Sequence, residues 1–323
     1  MVRVQRGALV KKMVVAGAVA LSLCVFGGGV SVASPLLPTE GASAQQDNTY
    51  SVDRHLVAAL EQAVESNPGA TVSVVGISGE GEGKLAEYGG VKSVNPAFGS
   101  VVLGLGALTN SVSESARPVV RDAKTGEQIQ AGTETVEEAA VDLLSGDMDA
   151  VKSLPGAGII DNVVSFARDR GIALTSDGNG HSSLAIARLL AAVKDVESEK
   201  VSSDILDKGG ATKFIQGMRG NGGSVLKDKI RGGDVAMVVG TKDGNHVECG
   251  YFFNGDSLYS VAFIVPQGDA ERYAASLGNV FADALTGDIK VAEVPSERET
   301  ATDTPEDTAE ERLAPPEGNS AFS

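Results

Sequence analysis

Apolar positions recur at helical spacing from Val52 to Val64, with Leu56, Ala59, Leu60 and Ala63 on one stripe, and Asn67-Pro68-Gly69 ends the pattern. The period then changes. Thr71 to Ile77 is a β-branched run that predicts a strand, Ser78 to Gly83 is a glycine-rich turn, and Lys84 to Tyr88 predicts the returning strand of a hairpin. Ser100 to about Val112 can be helical, although Gly104 and Gly106 each weaken a helix by about 1 kcal/mol relative to alanine. Such a pair of glycines lets another element approach closely. From Thr135 to about Arg219 the pattern is mostly helical, over Val136–Leu144, Ile159–Arg170, Ser183–Val196 and Ala211–Arg219, and Thr135 with Glu138 has the form of a capping box. From Asp234 three strand-like runs follow, Val235–Thr241, His246–Phe253 and Leu258–Val265. Asp243-Gly244 and Asn254-Gly255-Asp256 divide them and are strong hairpin signals. A last helix is expected from Asp269 to about Leu285.

The ends of the chain have a different character. Arg3, Arg6, Lys11 and Lys12 precede an apolar run from Met13 to about Val32, the arrangement of a secretory signal peptide over residues 1–44. Cleavage after Ala44 is the preferred reading and cleavage after Ser34 the alternative. An uncleaved N-terminal membrane anchor is a third reading, because the run approaches the length of a span. Residues 291–323 hold nine acidic and two basic side chains and four prolines, and read as a disordered acidic tail. Between these lies a domain over 45–290. Its parts are a mixed lobe from 51–95 and 220–290 and a helical lobe over 96–219.

Charge and composition exclude several classes of function. The net charge is −16, and loss of residues 1–44, with four basic and one acidic side chain, takes it to −19. Nucleic acid and anionic lipid are repelled by such a surface. Tryptophan is absent and aromatic residues are few, so no sugar-stacking platform is evident. Cys24 would leave with the signal, so Cys249 has no disulfide partner, and His55, His181 and His246 share no metal-ligand spacing. No metal and no cofactor are expected. The Gly79-Glu80-Gly81-Glu82-Gly83 tract is read as a turn, since its glycine spacing is wrong for a phosphate loop and its glutamates would repel phosphate.

One segment carries candidate chemistry: Asn95-Pro96-Ala97-Phe98-Gly99-Ser100-Val101-Val102-Leu103. It resembles the nucleophile helix of penicillin-recognising serine hydrolases, the class A β-lactamases and penicillin-binding proteins, in which S-x-x-K opens the helix. Ser100 matches the serine. Leu103 stands where the family has lysine. The order of elements resembles that family over about 56–286. It implies an α+β fold of β-lactamase/transpeptidase type, with a five-stranded antiparallel sheet from 71–88 and 234–265 flanked by terminal helices, plus a helical lobe.

Two further motifs of the family have counterparts. For S-D-N there is Ser145-Gly146-Asp147, with the serine kept and the next two positions changed; the same three residues also read as an ordinary helix-ending turn. For K-T-G there is Val238-Val239-Gly240 followed by Thr241, with valine in place of lysine. A literal Lys124-Thr125-Gly126 precedes the helical lobe and is read as a surface turn. No glutamate lies between Gly171 and Val196, where class A enzymes carry the one that activates water.

The resemblance implies that Ser100 and Ser145 are the candidate catalytic residues and that Leu103, Asp147, Val238, Gly240 and Thr241 line the cleft. Loss of a general base typically costs ~10²–10⁴ in rate. The expectation is therefore a secreted or envelope protein that binds without cleaving, with a cell-wall peptide or an envelope protein as partner. Its oligomeric state is left open. The alternative is a serine hydrolase whose Ser100 takes its base from elsewhere, such as Lys92 or Asp147. Ser100 has a simpler reading as a helix N-cap.

Overall fold

The computed structural model describes residues 50–289, except 91–95, 111, 113–118, 122–127, 131–134, 156–157 and 175–180. Its strands are β1 (Ser51–Val52), β2 (Thr71–Ser78), β3 (Lys84–Tyr88), β4 (Val119–Arg121), β5 (Gln128–Gln130), β6 (Asp234–Lys242), β7 (Asn245–Asn254) and β8 (Ser257–Pro266). Its helices are α1 (Arg54–Ala63), α2 (Pro96–Ala107), α3 (Val136–Ser145), α4 (Ile159–Arg168), α5 (Ser183–Glu197), α6 (Lys208–Arg219) and α7 (Ala270–Thr286). The main sheet runs in the order β1-β3-β2-β8-β7-β6. Five of its strands are the expected antiparallel set. The sixth, β1, is a two-residue strand lying parallel to β3, too short to show a period in sequence. A separate hairpin of β4 and β5 lies in a polar stretch where no strand was expected.

Local rules account for most boundaries. The Thr135 side chain accepts from the Glu138 backbone N–H, and the Glu138 carboxylate accepts from the Thr135 N–H, which closes the expected capping box on α3. Asp53, Ser182 and Asp207 cap α1, α5 and α6 with their own side chains alone, each accepting from a backbone N–H of the first turn. The β6–β7 turn places Asp243 and Gly244 both at positive φ, 52° and 75°, the backbone twist that suits a two-residue hairpin.

Both faces of the sheet are covered. Helices α1 and α7 lie on the outer face over Val72, Val74, Met237, Phe252, Val261 and Phe263. On the inner face α5 lies directly across β2 and β8, and α2 packs on β6 and β7. Two helices of the helical lobe, α2 and α5, thus form the inner layer of the sheet. Hydrogen bonds tie this layer down. Ser73 and Ser183 hydroxyls meet at 2.7 Å, Ser260 Oγ donates to the Ala187 carbonyl at 2.7 Å, and the Tyr251 hydroxyl donates to the Leu190 carbonyl at 2.7 Å. Burial pushes the Tyr251 phenol up, with Glu197 adding to the effect, so this donor stays protonated.

Helix α2 begins at Pro96, four residues ahead of Ser100, and ends at Ala107. Ser100 is thus inside the helix and is not its N-cap. The two glycines are points of close approach, as their spacing suggested. A Cβ on Gly104 would stand 2.8 Å from Leu144 Cγ, and one on Gly106 would stand 2.4 Å from the Ile159 carbonyl oxygen. The second contact is with backbone, which cannot rotate away. Gly106→Val should therefore lower stability by about 3 kcal/mol or more. Gly99→Ala, on the same helix but with no described atom in its way, should leave stability unchanged or raise it by about 0.5–1 kcal/mol. Denaturant midpoints of the two variants check this contrast, and equal midpoints would refute it.

Candidate functional site

Helix α2 brings Ser100 to the junction of three elements, because it packs against α3, α4 and β6 together. Ser100 is buried, 3 % exposed, and its hydroxyl donates to the Met148 thioether at 3.7 Å. Among the described residues this is its hydrogen bond. A thioether sulfur is a weak acceptor and cannot take a proton at neutral pH. Leu103, one turn further along α2, is half-buried and packs against the inner core.

Ser145 is the last residue of α3. Its hydroxyl donates back to the Asp142 carbonyl at 2.8 Å, and Gly146 caps the helix at φ 109°, a left-handed conformation that glycine adopts freely. Asp147 is exposed. Its carboxylate accepts from the Asp149 N–H at 2.9 Å and caps the 3₁₀ turn Met148–Ser153. Asp147 is thus occupied as a cap, while Lys92, the other alternative base, lies outside the described residues, as does Lys124-Thr125-Gly126.

Strand β6 forms the edge of the sheet. Val238 is buried, 1 % exposed, on the inner face beside Ala236, and Gly240 shares that face by strand alternation. Thr241 is exposed and falls on the opposite parity, with Val235 and Met237 of the outer core. Gly240 pairs with Val247 and Thr241 with His246.

A loop that sequence reasoning passed over joins these parts. After α6 the chain crosses the β6 edge, from Met218 in the inner core to Leu226 in the outer one. Asn221, 8 % exposed, holds the crossing. Its side-chain amide donates to the Leu144 carbonyl at 3.5 Å and its oxygen accepts from the Gly223 N–H at 3.0 Å. A Cβ on Gly223 would lie 3.8 Å from Val239 Cβ. Asn221 thus ties the end of α3 to the start of this loop.

Glu248 of β7 fixes the same loop from beneath. It is fully buried, yet its carboxylate accepts from the Val225 N–H at 2.6 Å and from the Ser224 hydroxyl at 2.7 Å, and it meets His246 Nε2 at 2.8 Å. Because Oε1 already accepts from Val225, the histidine nitrogen facing it must carry its proton. Ser224 Oγ in turn accepts from the Leu226 N–H at 3.2 Å. The order serine–carboxylate–histidine is not that of a nucleophile, since the base a serine needs would be the histidine. The cluster is a positioning device. Its signal in the sequence was a charge within an otherwise apolar strand: once both faces are covered, such a carboxylate must be partnered. Neighbouring Cys249 is buried too, and burial raises its thiol pKa well above the ordinary range, with Glu248 contributing.

No protein-family model matches the sequence, and no curated protein matches it. Solved structures do match. A penicillin-G acyl-enzyme complex of a PBP-A variant is similar at TM-score 0.53 and 15 % identity, over 72 % of this chain and 97 % of that one. A β-lactamase from Sphaerobacter thermophilus is similar at TM-score 0.52 and 11 % identity, over 72 % and 97 %. PenP from Rhodopseudomonas palustris, described as a class A β-lactamase, is similar at TM-score 0.52 and 14 % identity, over 72 % and 99 %.

The chain has the β-lactamase fold. At these identities the likeness concerns the fold. Within it, the helix, turn and edge strand that carry Ser100, Ser145 and Gly240 are the elements described above. The described residues gather no group of three or more His, Cys, Asp or Glu side chains that could hold a metal ion. None of their helices is long and apolar enough to cross a membrane. The N-terminal apolar run and the acidic tail lie outside the described residues.

The loop over β6 of this β-lactamase fold depends on the carboxyl oxygens at position 248. Glu248→Ala leaves the Val225 N–H and the Ser224 hydroxyl without their acceptor, and should destabilise the protein by about 3 kcal/mol. Chemical denaturation measures it. A loss under about 1 kcal/mol would show that the cluster does not hold the loop.

Proposed function

We propose that this β-lactamase-like chain is a secreted or cell-envelope module that binds its ligand without cleaving it. The fold is that of serine hydrolases, and the departure from their chemistry rests on one observation. Ser100 is buried with its hydroxyl on the Met148 sulfur, while among the described residues nothing stands against the neighbouring Gly99. No described atom outside its own helix and chain neighbours lies within 4 Å of where a Gly99 side chain would begin. A nucleophile has to project toward its substrate and hand its proton to a base. Here the projecting position has no side chain, and the serine beside it points into the protein.

The surroundings support binding of an uncharged or basic partner. Leu103 and Val238 put aliphatic groups where the related enzymes have lysines, which removes both a proton acceptor and a clamp for a substrate carboxylate. Met148 and Val151 are among the large apolar side chains left exposed, at 54 % and 36 %, and both sit on the short turn that covers Ser100. An apolar rim on a strongly acidic protein suits a cell-wall peptide or an envelope protein segment lacking net negative charge.

Labelling with a fluorescent penicillin and with a fluorophosphonate tests the reading. The purified chain is expected to show no stoichiometric acylation by either reagent. Ser100→Ala should leave that result unchanged and shift stability by no more than about 1 kcal/mol, since a weak hydrogen bond is all it removes. Stoichiometric labelling that Ser100→Ala abolishes would overturn the proposal and establish a hydrolase with an unrecognised base.

A further inference from the structure

A concavity lies against the inner face of β7 and β8. Its volume is ≈ 450 Å³, within the ordinary range for small-ligand sites. Tyr251, Phe253 and Leu258 from the inner face of β7 and β8 form its floor with Ile215 of α6, and Lys194 and Arg219 stand at its rim. Phe253 pairs with Asp234, six positions from Gly240 along β6, which is about 20 Å at ~3.3 Å per residue. The Phe253 side of the cavity therefore lies at the opposite end of β6 from Gly240.

Its polar groups are unevenly committed. Lys194 is engaged by Glu197. Arg219 has its guanidinium carbon over the Phe253 ring, 4.6 Å from its centre, and an Asp234 carboxylate oxygen lies 3.6 Å from its Nη1. That separation is too long for a hydrogen bond, so Asp234 neutralises charge without satisfying the guanidinium donors. A planar fork held by an aromatic face, beside an apolar floor, matches a single carboxylate attached to an apolar body. Asp256, on the turn whose carbonyl accepts from Ser78 Oγ at 2.5 Å, also lines the mouth. Its charge disfavours phosphates and polyanions.

We propose that this cavity binds a small amphipathic monocarboxylate, with its aliphatic or aromatic body on Tyr251, Phe253, Leu258 and Ile215 and its carboxylate on Arg219. Calorimetric titration with octanoate, butanoate and octanol tests it on the purified chain. Octanoate is expected to bind saturably at one site, about threefold to fourfold tighter per added methylene than butanoate, and at least tenfold tighter than octanol. Arg219→Gln, at a half-exposed position, should remove the advantage over octanol and leave octanol binding unchanged. Leu258→Trp, which fills the cavity, should abolish both. Methyl resonances of Ile215 and Leu258 in the unmodified chain should shift with saturation, so the site is located even if the tryptophan variant fails to fold. Absence of saturable octanoate binding, binding that leaves those methyls unmoved, or an Arg219→Gln variant with full affinity would each overturn the proposal.

Discussion

A sheet covered on both faces leaves no solvent for the polar groups in its strands, and the rest of the molecule follows from that constraint. Ser73, Ser260 and Tyr251 turn inward toward α5 and each finds a serine hydroxyl or a helix carbonyl at 2.7 Å. Glu248 turns outward and gathers a backbone N–H, a hydroxyl and an imidazole. Each bond adds only about 1 kcal/mol net, but leaving any of these groups unpaired would cost more than that. The polar contacts therefore select one arrangement of helices on the sheet, and the surrounding Val, Leu and Phe side chains provide most of the driving force.

The same constraint shapes the cleft. Helix α2 runs through the middle of the inner layer, so close to α3 and α4 that it can carry no side chains at Gly104 and Gly106. A helix packed on so many sides has few positions free to face a substrate. In this chain the free position is occupied by glycine, and Ser100 is directed at the short turn after α3. In a hydrolase the corresponding helix would have to present a hydroxyl and a proton acceptor on one accessible stripe. Leu103 and Val238 belong with the apolar side chains of the inner core.

The loop across the β6 edge connects the two chemistries. Asn221 faces the end of α3, Glu248 and Ser224 hold the far side, and Val239 lies against Gly223 between them. A wall built in this way resists displacement, because moving it would expose a buried carboxylate and several backbone donors together.

Much of this architecture is legible in the residues alone. The helical stripe of α1, the β-branched run of β2, the two turn signals between β6, β7 and β8, and the capping box of α3 are local patterns, and local backbone energetics decide them wherever they agree with burial. The absence of a proton acceptor one turn after Ser100 is legible too, since no fold can make leucine a base. Other features were set by tertiary contact. The burial of Ser100 beneath Met148 depends on where α3 and its following turn come to rest. The two-residue strand β1 and the hairpin of β4 and β5 are too short to carry a period. Two of the three partners of Glu248, Ser224 and Val225, come from a loop more than twenty residues away in the chain, and a carboxylate in a strand reads as solvent-facing until the helix that covers its face is in place. Period and propensity act over a few residues; which side chain is accessible, and which charge is partnered, is decided only when distant segments close on one another and exclude water.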